Sequence, residues 1–230
     1  MSAMESSKRL EFSEHLPLWL KLAYSAFMAV LVPVYWYYYG PTNFLYFCDT
    51  ALILTLIGIW IESPLLVSMC AVGILAPQAV WVIDFLGNFV GLSLTGISDY
   101  MFNPNTSLFL RGLSLFHGWL PFLLVYLVWK LGYDRRALPA WTALAWVLLM
   151  ICFFFMPPPR PDPGLTPVNI NYVWGMSDYV AQTWVAPWVW FAGLVVGLPA
   201  LLFAPVHFLL ARTMPPAPRA LPPSLAEGVS

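Results

Sequence analysis

Residues 64–84 read PLLVSMCAVGILAPQAVWVID, and this stretch decides the class of the protein. About twenty apolar residues in helix, rising roughly 1.5 Å each, cross the roughly 30 Å hydrocarbon core of a bilayer. Working outward, five further windows of the same kind occupy about 17–39, 43–61, 108–130, 138–156 and 184–211. They run too long and too continuously apolar for barrel strands, which alternate in polarity over roughly ten residues. Only a helix or a closed barrel satisfies its own backbone in lipid. The sequence therefore predicts an all-α fold, a multi-pass transmembrane bundle of about six spans.

Composition agrees. The chain is 60% hydrophobic and 9% charged, with a mean hydropathy of +0.75, whereas soluble domains carry about 25% charged residues. Six spans nearly exhaust 230 residues, which leaves a short N-terminal segment (1–16), one membrane domain (17–211) and a Pro-rich tail (212–230). A net charge of −1 offers no polybasic surface for nucleic acid. Membrane lipids are the expected partners, with a membrane protein partner or a second copy of the chain left open. Lys8 and Arg9 precede a long apolar run without a small-residue cleavage site, so the first span is expected to be retained.

Lys and Arg set the expected orientation. Lys8, Arg9, Lys21, Lys130, Arg135, Arg136, Arg212 and Arg219 all fall on one side of a six-span chain. The positive-inside bias makes that side, with both termini, cytoplasmic. Aromatic residues gather near span ends, as in Tyr35-Trp36-Tyr37-Tyr38-Tyr39 and Trp184, Trp188 and Trp190, where amphipathic rings settle at headgroup level. The segment 85–107 either caps the bundle on the non-cytoplasmic side or lies in the interface. There is no internal repeat of the kind many transporters carry.

The remaining polar residues collect toward the other face. Cys48 and Asp49 open the second span, Asp84 closes the third, and Arg111, Ser114 and His117 lie in the first turns of the fourth. Asn169, Asn171 and Tyr172 occupy the loop before the last span. Ionisable groups inside a bilayer are costly and usually face a cavity or one another. A thiol reacts as thiolate, an imidazole can take its proton, and a carboxylate can orient the imidazole. Cys48, His117 and either Asp49 or Asp84 supply those types. Arg111 or the Asn169 and Asn171 amides could stabilise an oxyanion or hold a lipid phosphate.

Structural readings compete at each position. A lone membrane cysteine is commonly a packing residue, as Cys70 and Cys152 are expected to be. Asp84 and Arg111 could form a structural ion pair, and turn formation explains Asn169 and Asn171 as well as ligand binding does. His117 favours function, because His15 and His207 lie near the wetted cytoplasmic ends. No cofactor is implied. His117, Asp49 and Asp84 would make a poor zinc set, which more commonly holds two or three His or Cys.

Phe47-Cys48-Asp49, Leu115-Phe116-His117-Gly118, Asn171-Tyr172 with Gly175, and Pro187-Trp188 resemble the YwaF-type integral membrane family over about residues 44–190. That six-helix group has an animal relative that is a phospholipid acyltransferase using a membrane cysteine and histidine. It is distantly similar to the androgen-induced fatty-acyl ester hydrolases, which have threonine in the nucleophile's place. The resemblance implies Cys48 as acyl carrier and His117 as its base. The expectation is thus a lipid acyl hydrolase or acyltransferase. The alternatives are a non-enzymatic membrane subunit or lipid-binding scaffold, a metal-dependent membrane hydrolase, and a small transporter.

Overall fold

The computed structural model describes residues 16–92, 94–104, 106–162 and 164–218. The N-terminal segment with Lys8, Arg9 and His15, and the tail from Arg219 onward, lie outside them. The chain runs through α1 (Leu18–Tyr39), a 3-10 turn (Pro41–Leu45), α2 (Phe47–Trp60) and α3 (Pro64–Phe89). A second 3-10 turn (Asp99–Met101) leads to α4 (Leu108–Ser114), α5 (Phe116–Leu131) and α6 (Ala137–Phe155). A third (Ile170–Tyr172) precedes α7 (Pro187–Gly197), a π-helical turn (Leu198–Phe203) and α8 (Ala204–Thr213). No strand occurs among the described residues, so the fold is the expected all-α bundle.

Five helical stretches are long and apolar enough to cross a membrane: α1, α3, α4–α5, α6 and α7–α8. Phe122, Phe155 and Leu201 are 78%, 76% and 74% exposed. Large side chains presented outward along apolar helices suit lipid rather than water. The chain is an integral, multi-pass membrane protein.

Three windows differ locally from their sequence reading. The second span is helical for only 14 residues, Phe47–Trp60, about 21 Å. Pro41–Leu45, wound as a 3-10 turn behind Gly40 (φ +83°), takes up the rest of that window. The fourth is broken at Leu115, between α4 and α5. In the last, Pro199 and Pro205 each remove a backbone donor, and the helix widens to a π turn between α7 and α8.

The central element is α3, which packs against α2, α5 and α6 and is buried on all sides from Val67 to Ile74. Ser63 caps it, its hydroxyl accepting from the Leu66 amide at 3.3 Å, with Pro64 in the first turn. Gly73 admits the Trp141 indole of α6 so closely that a Cβ there would lie 1.8 Å from the ring. At one end, Lys21 pairs with Glu62 at 2.6 Å, and Tyr133 forms a bridge with Pro216 of the tail. Lys130, Arg135, Arg136 and Arg212 belong to this end as well. The opposite end carries the 90–107 connection, the 157–186 loop and the start of α2.

Candidate functional site

The site is assembled from the loops inward. Asn169, Asn171 and Tyr172 take left-handed conformations, with φ of 49°, 58° and 59°. Three such non-glycine residues within four positions store strain that surrounding contacts must hold. Asn169 Oδ1 accepts from the Trp174 amide at 2.8 Å, and its Nδ2 donates to the carbonyls of Gly175 (2.8 Å) and Ser177 (3.0 Å). Asn171 reaches across the bundle. Its Oδ1 accepts from the Phe47 amide at 3.0 Å and its Nδ2 donates to the Leu45 carbonyl at 2.9 Å. The Asn171 side chain thus caps α2 from another part of the chain. Both asparagine side chains are thus hydrogen-bonded within the chain. The Tyr172 carbonyl accepts from the Trp190 indole at 2.9 Å.

Asp84 organises the opposite wall. Its Oδ1 accepts from the amides of Leu94, Thr95 and Gly96 at 3.0, 2.6 and 3.2 Å, and its Oδ2 from the amide and hydroxyl of Ser98 at 3.0 and 2.6 Å. Arg111 donates to the carbonyls of Thr106 (2.8 Å) and Asn103 (2.7 Å). Asp84 and Arg111 do not pair with each other. Between them they tie residues 94–98, Asn103 and Thr106 of the connection onto the bundle end. Asp84 does not orient His117, and Arg111 is committed to loop carbonyls rather than turned toward Cys48.

The connection carries Tyr100 inward. Its hydroxyl faces Ser114, the Trp81 indole and Cys48 without closing a hydrogen bond to the indole, and burial pushes its phenol well above the ordinary range. Ser114 is bonded to the Tyr35 hydroxyl at 2.9 Å. Tyr172, its phenol also raised by burial, lies within electrostatic range of Asp178, Cys48 and Asp84. Residues distant in sequence therefore share one polar region.

Cys48 and Asp49 occupy the first turn of α2. The Cys48 thiol donates to Asp49 Oδ2 at 3.7 Å. The other oxygen, Oδ1, is buried without a hydrogen-bond partner. His117 is oriented by neither carboxylate: its Nδ1 lies 3.0 Å from the Ser114 carbonyl. A carbonyl only accepts, so in the neutral ring Nδ1 carries the proton and Nε2 is the free acceptor. The imidazole tilts over Trp81, with centroids 4.8 Å apart. No hydrogen bond joins Cys48 to His117; the group on the thiol is Asp49. Among the described residues no three His, Cys, Asp or Glu side chains are grouped as a metal set.

Three participants escape the sequence reading. Tyr35 and Tyr100 look like interfacial aromatics. Trp81 lies inside the 64–84 run, where its apolar neighbours hide it. No protein-family model, curated protein or solved structure matches the chain, so the reading of the site rests on its own residues.

Proposed function

We propose that the chain is a membrane acyl hydrolase or acyltransferase acting on lipid esters, with Cys48 as acyl carrier. The observation that carries this reading is the Cys48 thiol on the Asp49 carboxylate, at the capped start of α2, within a region that also holds Tyr100, Ser114 and His117. The YwaF-type resemblance points to the same cysteine. It points to His117 as the base on the thiol; we assign that role to Asp49, supported by the hydrogen bond that its carboxylate accepts from the thiol.

In this scheme Asp49 takes the thiol proton and the thiolate sulfur bonds to the ester carbonyl carbon. The ester C–O bond breaks, and the departing alkoxide takes the proton back from Asp49. His117 Nε2, the free acceptor, takes a proton from the incoming water or lipid hydroxyl, whose oxygen bonds to the acyl carbon as the C–S bond breaks; the proton held on His117 then returns to the departing thiolate, which regenerates both the thiol and the neutral imidazole. Tyr100 is a donor for the transient oxyanion. Five Lys and Arg at the Lys21–Arg212 end support a cytoplasmic location for that end and a non-cytoplasmic one for the site.

The test is labelling of the purified chain with a lipid ester carrying an alkyne-tagged acyl chain. Hydroxylamine-sensitive label on Cys48, lost in Cys48→Ala and kept in Cys70→Ala and Cys152→Ala, is the expected result. A folded wild type that takes no such label favours a non-enzymatic scaffold. One observation already leans that way: Asp84, Arg111, Asn169 and Asn171 all spend their side chains on groups of the chain itself, most of them backbone.

A further inference from the structure

Gln78 lies in the interior of the membrane helix α3, 2% exposed, with both its amide nitrogen and its amide oxygen buried and unpaired. Burying an amide without partners is expensive, so such a group calls for a partner, a bound water or a ligand. One turn further along the same face, the Trp81 indole N–H is likewise buried and unpaired, although its ring packs on His117. Asp49 Oδ1 is a third unpaired atom, and Tyr100 faces both Trp81 and Cys48. Trp81 and Asp49 are thus linked through Tyr100 and Cys48, with Gln78 one turn from Trp81 on α3, and a methyl placed on Gly118, next to His117 in the chain, would meet nothing within 4 Å.

The chemistry of these groups limits what can satisfy them. Trp81, Tyr100 and the Gln78 nitrogen donate; the Gln78 oxygen, Asp49 and His117 Nε2 accept. None is a cation. Arg111 is turned to the Thr106 and Asn103 carbonyls, and Arg160 is exposed on the loop after α6. A phosphate here would meet the Asp49 carboxylate with no positive charge to balance it, whereas hydroxyl and ester groups match both sets.

We propose that Gln78 and Trp81 form a headgroup pocket for an uncharged, hydroxyl-bearing lipid ester of the diacylglycerol class. That this lipid is the substrate rests on the acyl-transfer reading; that it binds does not.

The purified full chain is photolabelled with a diazirine-tagged diacylglycerol, with unlabelled dioleoylglycerol or dioleoylphosphatidic acid as competitor. Dioleoylglycerol is expected to compete and the phosphatidic acid not to. Gln78→Met and Trp81→Phe should each cut the competable label about fivefold, the worth of one net hydrogen bond. Cys48→Ala should lose acylation while competable label is still detected, which separates binding from acyl chemistry. Gln78→Met removes the unpaired amide and should melt no lower than wild type, so its loss of label cannot come from unfolding. Equal competition by the two lipids, or wild-type labelling of Gln78→Met, overturns the pocket. Competable label without hydroxylamine-sensitive acylation of Cys48 retains the pocket and removes the enzyme.

Discussion

Trp146 of α6 donates its indole N–H to the Val195 carbonyl of α7 at 2.9 Å. That carbonyl would ordinarily accept from the residue four positions on, which is Pro199 and has no N–H. In lipid no water replaces the missing donor, so a side chain of the neighbouring helix does. Trp146→Phe keeps an aromatic ring and removes the donor. It should lower stability by about 1 kcal/mol, read as a lower melting midpoint in detergent. An unchanged midpoint would mean that the carbonyl finds another donor.

Asp84 is fully buried and accepts five hydrogen bonds from residues 94–98. Asp84→Asn preserves its shape but turns one acceptor into a donor facing other donors. The cost should reach about 3 kcal/mol, and limited proteolysis should cut between residues 90 and 107, where wild type resists. Loss of acylation without new cleavage would instead assign Asp84 a direct part in the chemistry.

The spans were legible because lipid enforces one rule along the whole chain: apolar side chains over a fixed length. Departures from that rule are local. The prolines at 199 and 205 explain the widened last helix, whereas nothing in the apolar pattern announces the break at Leu115. Site residues were legible as a set, since ionisable groups stand out against an apolar background, but their partners were not. Asn171 serves Leu45, 126 positions away, and Asp84 serves four amides and the Ser98 hydroxyl of a loop that begins ten residues on. Composition indicates which groups are polar, and only the fold decides whether they face a ligand or the backbone.

Gly73 is a packing glycine, because a Cβ would lie 1.8 Å from the Trp141 ring. Gly73→Val should force α3 and α6 apart and cost about 2–3 kcal/mol. Adding Trp141→Leu should recover part of that loss, so the two changes should be non-additive in thermal melting. Simple addition would mean that the clash relaxes elsewhere.

Asp178, in the loop before α7, gives the site a pH dependence whose sign follows from its surroundings. Burial raises its carboxyl above the ordinary value of 3.8, with the Asn169 amide working against the shift, and its Oδ1 has no hydrogen-bond partner. The folded chain therefore holds this proton more tightly than the unfolded one. Below about pH 3.8 both states are protonated and burial carries no ionisation penalty. As pH rises from there through the folded value, the unfolded state ionises first, and stability falls across that window. Asp178→Asn should abolish this component, so that its melting midpoint gains on that of wild type as pH rises from the ordinary carboxyl value toward 7. Melting curves of the two proteins between pH 4 and 7 check it, and parallel pH profiles would show that Asp178 ionises freely in the folded chain.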